Sequence, residues 1–119
     1  MDLGLKGKVA VVTGGTAGIG LATAQAFIDE GAYVAVCGRH LDLLKTALKQ
    51  LRNNAFGCQT DMTNENEVYG FARQVNDHFG HIDIWVNNVG ASFARKDTWY
   101  TGKEIDAHYA VNFLSLIHI

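Results

Sequence analysis

Short runs of β-branched residues alternate four times along this chain with segments whose apolar residues recur at helical spacing. The runs predict four strands, over Lys8–Thr13, Tyr33–Cys37, Ala55–Thr60 and Ile82–Asn87. The other segments predict four helices, over Gly18–Glu30, over Leu41–Leu51, from the cap pair Asn64 and Glu67 to a stop at Gly80, and from about Gly102 onward. Regular alternation of this kind predicts an α/β fold, with a parallel sheet, right-handed crossovers and helices on both faces.

Composition and charge exclude several classes of function. The 119 residues carry a formal net charge of -2, so no basic face is available to bind a nucleic acid by charge alone. No apolar run approaches the roughly 20 residues that a membrane span needs, and the first residues, MDLGLKGK, contain no signal-peptide core. We therefore expect a cytoplasmic protein with no nucleic-acid partner and no membrane partner.

The cysteines and histidines do not predict a metal site or a disulfide. Cys37 and Cys58 lack C-x-x-C spacing and are predicted to be two small buried thiols. The five histidines include no pair with ligand spacing on one element and a matching third ligand. The predicted site is therefore built from other residue types.

The segment between the first strand and the first helix reads TGGTAGIG and contains four glycines in eight residues, Thr13 to Gly20. It lies at the carboxyl edge of the sheet, where open α/β sheets bind their ligands. Gly14 allows a tight exit from the strand, Gly18 removes a Cβ that would keep a phosphate away, and Gly20 lets the helix pack closely. Thr16 can donate a hydroxyl hydrogen bond. The segment predicts a pyrophosphate-binding turn. The alternative is a glycine-rich turn without a ligand.

The spacing of these glycines, G-x-x-x-G-x-G, resembles the first turn of the classical short-chain dehydrogenase/reductase family, which reads T-G-x-x-x-G-x-G. The resemblance covers essentially the whole chain. It implies a Rossmann-like doubly wound parallel sheet, here truncated to about four strands in the order 3-2-1-4. It also implies cofactor contacts from the residues of the turn, namely Gly14, Thr16, Ala17, Gly18, Ile19 and Gly20.

Two later segments resemble further cofactor contacts of this family. In CQTDMTN, the resemblance implies that Asp61 hydrogen-bonds the adenine edge and that Met62 lies beside the ring. In NNVG, it implies that the ribose is approached by Asn88, Val89 and Gly90, with Val89 replacing the alanine of the family pattern. A turn aspartate and an ordinary asparagine-rich strand exit are the alternatives.

Two asparagines match a structural and a catalytic position of the family. The resemblance implies that Asn87 ties the sheet together. Asn112, in AVNFLS, matches the helix asparagine that holds a water in the proton relay, and it is the one predicted catalytic residue. Taken alone, Asn112 is equally compatible with a core amide that has found a hydrogen-bond partner.

The end of the second strand predicts which nicotinamide cofactor binds. An NAD site carries Asp or Glu there, whereas this chain reads CGRH and offers Arg39. The guanidinium is planar and permanently charged, so it suits the 2′-phosphate of NADP. We therefore predict NADP rather than NAD. The alternative is that Arg39 is a solvated surface cation.

Family members transfer hydride with a serine and a Tyr-x-x-x-Lys pair, and this sequence contains no such pair. We therefore expect residues 1–119 to be the N-terminal part of a single Rossmann-fold domain whose C-terminal half is absent, and inactive alone. The parent protein would be an NADP(H)-dependent carbonyl reductase or alcohol dehydrogenase with a small carbonyl or alcohol substrate. A homo-oligomer is compatible with the family. The alternatives are a non-catalytic nucleotide-binding or regulatory fragment and a structural fragment that binds nothing.

Overall fold

The computed structural model describes residues 2–88 and contains the predicted alternation of strands and helices. Its strands are β1 (Val9–Thr13), β2 (Tyr33–Gly38), β3 (Ala55–Gln59) and β4 (Ile84–Val86). Its helices are α1 (Gly18–Asp29), α2 (Leu41–Leu51) and α3 (Glu65–Phe79), and a 3-10 turn over Arg52–Asn54 follows α2. The predicted helix from Gly102, and the predicted site residues Val89, Gly90 and Asn112, lie outside the described residues.

The four strands form one parallel sheet in the order β3-β2-β1-β4, as predicted. β1 lies inside the sheet, and its Val11 is paired with Ala35 on one side and with Trp85 on the other. Parallel strands end at the same edge of a sheet. The segments that follow β1, β2, β3 and β4 are therefore brought together there.

Apolar side chains cover both faces of the sheet. On one face, Val9 and Val11 pack with Phe71 and Val75 of α3. The other face, which includes Val12, packs against α1 and α2. Alternate residues of a strand point to opposite faces, so a strand covered on both sides must be apolar at every position. All five residues of β1 are buried accordingly.

The helix ends follow the sequence signals in most details. Asn64 caps α3, because its side-chain oxygen accepts from the Glu67 amide at 3.2 Å, and Gly80 ends the helix with φ +87°. Glu67 does not complete the predicted cap pair, since its carboxylate accepts instead from the Asp61 amide at 3.2 Å. Arg52, just after α2, adopts φ +69°, the one positive value among the non-glycine residues that the structure describes.

Strand β4 is shorter than predicted, because a side chain replaces the backbone pairing at its start. The carboxylate of Asp83 accepts from the Val9 amide at 2.8 Å, and the Asp83 amide donates to the Val9 carbonyl at 2.9 Å. His81 Nε2 lies 2.9 Å from the same carboxylate. Of the helices between residues 2 and 88, none combines the length and the apolar character that crossing a bilayer requires.

Candidate functional site

The glycine turn between β1 and α1 leaves its backbone open to a ligand. Gly14 has φ +66° and Gly18 has φ +56°, values that side chains disfavour. A Cβ added at Gly18 would meet no atom within 4 Å, so the absent side chain leaves open space beside the helix start. Ala17 caps α1 without a side-chain hydrogen bond, and the first turn carries no acidic residue. The first amides of α1 thus favour an external anion.

Two other glycines of the turn are required by contacts inside the protein. A Cβ at Gly15 would lie 2.5 Å from the Cγ1 atom of Val36 in β2. A Cβ at Gly20 would overlap the carbonyl oxygen of Gly14 and the side-chain amide of Asn88. Gly20 was predicted to allow close packing of helix on sheet. In the structure, the atoms that require a glycine at position 20 belong to the turn itself and to Asn88, which follows β4.

Thr13, which the sequence reading did not single out, holds the end of β1 to the segment after β4. Its side chain is fully buried, and its hydroxyl donates to the Val86 carbonyl at 3.3 Å and accepts from the Asn88 amide at 3.0 Å. The Asn88 side chain donates to the Gly14 carbonyl at 3.4 Å. These bonds place Asn88 beside the glycine turn, and its predicted contact with the ribose stays a prediction.

The role that the resemblance implies for Asn87 stays a prediction, and the contact seen among the described residues is a local one. Asn87 is exposed, and its side-chain oxygen accepts from the Trp85 indole at 2.9 Å, two residues back on its own strand. At the carboxyl ends of β1 and β4, the side-chain bonds that the described residues make between the two segments come from Thr13 and Asn88.

A cavity of about 280 Å³ lies at this edge of the sheet and collects most of the predicted site residues. Those that line it are Gly14, Thr16, Ala17, Arg39, Asp61, Met62 and Asn88. Ile19 is 79% exposed at the first turn of α1, whereas Gly18 and Gly20 shape the turn without lining the cavity. The volume is close to the lower end of the usual range for ligand pockets, roughly 300–1,000 Å³.

Gly38 and Thr16 meet at the wall of this cavity. A Cβ at Gly38 would lie 2.9 Å from both Oγ1 and Cγ2 of Thr16. The sequence reading did not include Gly38, because its importance depends on a contact with a residue 22 positions earlier. The glycine at the end of β2 thus leaves room for the Thr16 side chain between the turn and Arg39.

Asp61 lies in the cavity wall but is held by its own turn. Its Oδ1 atom accepts from the Thr63 hydroxyl at 2.6 Å and from the Thr63 amide at 2.9 Å. The Thr63 hydroxyl lowers the pKa of Asp61, and the Thr63 amide and the Arg39 charge act in the same direction. This is the turn aspartate that the sequence allowed as an alternative. Oδ1 is committed to the turn, so a ligand would contact the ionised carboxylate through its other oxygen.

Met62 and the two cysteines differ in how deeply they are buried. The Met62 side chain is only 3% exposed and packs with Val68 and Phe71 of α3, and the residue also lines the cavity. Cys58 is half-buried rather than buried, and its thiol lies 3.0 Å from Gln74 Oε1. Cys37 is fully buried as predicted, and burial raises its pKa to about 12. Neither Cys37 nor Cys58 lines the cavity.

With this geometry described, known proteins provide a comparison. The sequence pattern of the short chain dehydrogenase family matches residues 8–119. An uncharacterized oxidoreductase of Staphylococcus epidermidis is 37% identical over 115 residues, which are 97% of this chain and 50% of that protein. The oxidoreductase YvrD of Bacillus subtilis is 35% identical over 119 residues, 98% of this chain and 45% of that protein. The chain spans about half the length of these relatives.

A solved structure shows the same fold. The crystal structure of a short chain dehydrogenase from Bacillus anthracis superposes with a TM-score of 0.89 at 26% sequence identity, and it covers 96% of this chain and 47% of that one. The chain belongs to the short-chain dehydrogenase family.

This short-chain dehydrogenase chain carries the features that a dinucleotide needs. The open space at Gly18 admits a phosphate to the backbone, and the uncapped start of α1 supplies amide donors. Arg39, a cation, lines the same cavity as the glycine turn. Members of the family generally bind NAD or NADP. An open turn with free helix-start amides suits the pyrophosphate that both nucleotides share.

Proposed function

We propose that the protein is an NADP(H)-dependent oxidoreductase of the carbonyl reductase or alcohol dehydrogenase type, and that residues 1–119 form its cofactor-binding part. The observation that carries the proposal is the position of Arg39. This exposed side chain lines the same cavity as Gly14 and Ala17, and it directly follows Gly38, the last residue of β2. An adenosine ribose bound there would have its 2′ position near a guanidinium and not near a carboxylate from β2.

The size of the expected preference follows from the charges. A charge-assisted hydrogen bond contributes about 1.5–3 kcal/mol, which corresponds to a tenfold to hundredfold preference for the nucleotide with the extra phosphate. Asp61 works against this preference, because its ionised carboxylate lines the same cavity. We therefore expect the preference to lie nearer tenfold than hundredfold.

The remaining roles in the proposal come from the family resemblance. The amides at the start of α1 would bind the pyrophosphate, Asp61 would hydrogen-bond the adenine edge with Met62 beside the ring, and Asn88, Val89 and Gly90 would approach the ribose. Asn112 would hold a water of the proton relay. A bound nicotinamide ring would supply or accept the hydride, and a small carbonyl or alcohol would be its partner.

The proposal concerns a protein longer than the described residues, because the relatives are about twice the length of this chain. A serine and a Tyr-x-x-x-Lys pair following residue 119 would supply the proton chemistry. We further propose a cytoplasmic location and assembly into a homo-oligomer. Two free thiols, Cys37 and Cys58, occupy paired positions on β2 and β3, and this arrangement suits a reducing compartment.

The test is a fluorescence titration of the full-length protein with NADPH and with NADH. The wild type is expected to bind NADPH about tenfold more tightly, and Arg39→Ala is expected to bring the two dissociation constants within about twofold of each other. Arg73→Ala is the matched control, since Arg73 is an exposed arginine of α3 that does not line the cavity. Equal affinities in the wild type, or a preference that survives Arg39→Ala, would refute the NADP assignment.

A further inference from the structure

The backbone that carries Arg39 is held by the end of the neighbouring strand. The Thr60 amide donates to the Gly38 carbonyl at 2.9 Å, one position before Arg39. The Gln59 side-chain amide donates to the Arg39 carbonyl itself at 3.0 Å. Two consecutive carbonyls of the loop after β2 are thus fixed by two consecutive residues at the end of β3.

Arg39 lies between two neighbouring depressions of the surface. It lines the cavity of the glycine turn, and it also lines a neighbouring groove formed with Gln59, Asp61 and Glu67. The groove presents two carboxylates, and the charge of Arg39 contributes to the lowered pKa of Asp61. The guanidinium is therefore open to attraction by a phosphate in the cavity or by these carboxylates. The orientation of the Arg39 backbone bears on which of the two it faces.

We propose that Gln59 is a positioning residue for nucleotide selection: by holding the Arg39 carbonyl, it keeps the guanidinium directed toward the 2′-phosphate and away from the two carboxylates. This inference rests on the proposed NADP function. Gln59 does not line the cavity, so it acts through Arg39 and not on the nucleotide. Because the pyrophosphate is bound by the separate glycine turn, loss of Gln59 affects one phosphate of the cofactor and spares the others.

The test uses the full-length protein and two small nucleotides, 2′,5′-ADP and 5′-AMP, which differ only in the 2′-phosphate. Gln59→Met keeps the length of the side chain and removes the donor. Calorimetric titration is expected to show 2′,5′-ADP binding weakened about two- to fivefold, as for one exposed hydrogen bond, with 5′-AMP unchanged. Gln25→Ala is the control, because Gln25 is a glutamine of α1 whose amide donates to Asp29 at 2.9 Å.

A double-mutant cycle separates positioning from a general structural effect. In an Arg39→Ala background, Gln59→Met is expected to change neither affinity, because the group that it positions is gone. If Gln59→Met weakens both nucleotides equally, or weakens 2′,5′-ADP as much without Arg39 as with it, the positioning role is overturned. The melting temperature of each variant shows whether the fold has been lost instead, and a folded Gln59→Met protein with unchanged selectivity also overturns the role.

The two proposals fail in different ways. A wild-type protein that does not distinguish 2′,5′-ADP from 5′-AMP overturns the NADP assignment and this inference together. A wild-type protein that is selective, loses its selectivity in Arg39→Ala and keeps it in Gln59→Met overturns only the role of Gln59.

Discussion

Gly20 and Gly70 lie within helices and should respond in opposite ways to the same substitution. Gly20 is in α1, where an added Cβ would overlap the Gly14 carbonyl oxygen and the Asn88 side chain. Gly70 is in α3, where an added Cβ would meet nothing within 4 Å. The pair separates the conformational preference of alanine for helix from the steric demand of the glycine turn.

The magnitudes come from general values. At Gly70, alanine gains helix propensity and should stabilise the protein by about 0.5–1 kcal/mol. At Gly20, the same gain is opposed by overpacking, about 1–3 kcal/mol, and by loss of the Asn88 hydrogen bond, about 0.5–1.5 kcal/mol. One of the two colliding atoms is a backbone oxygen that cannot rotate away. A net loss of about 1–3 kcal/mol is therefore expected for Gly20→Ala.

The assay is urea unfolding of the full-length protein, followed by far-ultraviolet circular dichroism. The free energies of unfolding of the wild type and both variants are compared with the same dependence on urea concentration (m-value). NADPH titration of the folded variants adds a second measurement, and Gly20→Ala should weaken binding while Gly70→Ala leaves it unchanged. The reasoning is refuted if Gly20→Ala is as stable as Gly70→Ala, since the predicted collision would then have been relieved without cost.

Three further changes test the ties around β1 and the buried thiol. Thr13→Val should destabilise the protein by about 0.5–1.5 kcal/mol in urea unfolding, because the half-buried Asn88 amide loses its hydrogen-bond acceptor. Thr13→Ser keeps a hydroxyl and should lose much less stability, and equal losses would contradict this. The hydrogen bond from the Val9 amide lowers the pKa of Asp83 in the folded protein. The ionised Asp83 carboxylate therefore stabilises the fold above its unfolded-state pKa, and this contribution is lost as the pH falls through its folded-state pKa. Asp83→Asn should therefore flatten the acid limb of a stability–pH curve, and an unaltered limb would show that the tie is unimportant. Cys37, with a pKa of about 12, should react with a thiol reagent at pH 8 only after unfolding, and rapid labelling of the native protein would contradict its burial.

Local patterns in the sequence were sufficient to predict most of the fold. The β-branched run of β1 and the leucine spacing of α2 are signals carried by neighbouring residues, and the parallel direction of the strands follows from their alternation with helices. The strand order 3-2-1-4 came from the family resemblance. The Asn64 cap and the Gly80 stop depend equally on short segments. The glycine spacing also predicted the turn that forms the centre of the site.

The rest depends on contacts between residues far apart in the chain. The sequence does not distinguish Thr13 from other strand threonines, because its role depends on contacts with Val86 and Asn88. Gln59 reads as an exposed residue at the end of a strand, because its bond to the Arg39 carbonyl is visible only in the fold. The bond between Asn87 and the Trp85 indole was not predicted, because the direction of a side chain at a strand exit is not visible in a four-residue motif. The burial of Met62 against α3 was not predicted either, because a core position and a ligand-facing position have the same apolar sequence signal.

The side-chain bonds at the two ends of β1 bear on how its alignment with β4 is specified. When one face of a strand is exposed to solvent, hydrophobicity fixes its pairing register, since a shift of one residue would expose the apolar side chains. In β1 this distinction between faces is weak, because apolar side chains of β1 are buried on both faces of the sheet and a slipped pairing would still bury apolar residues. The hydrogen bonds of Asp83 at the Val9 end and of Thr13 at the other end form in the native register and would be lost in a shifted one. Polar side chains thus specify a register that apolar packing alone leaves undetermined.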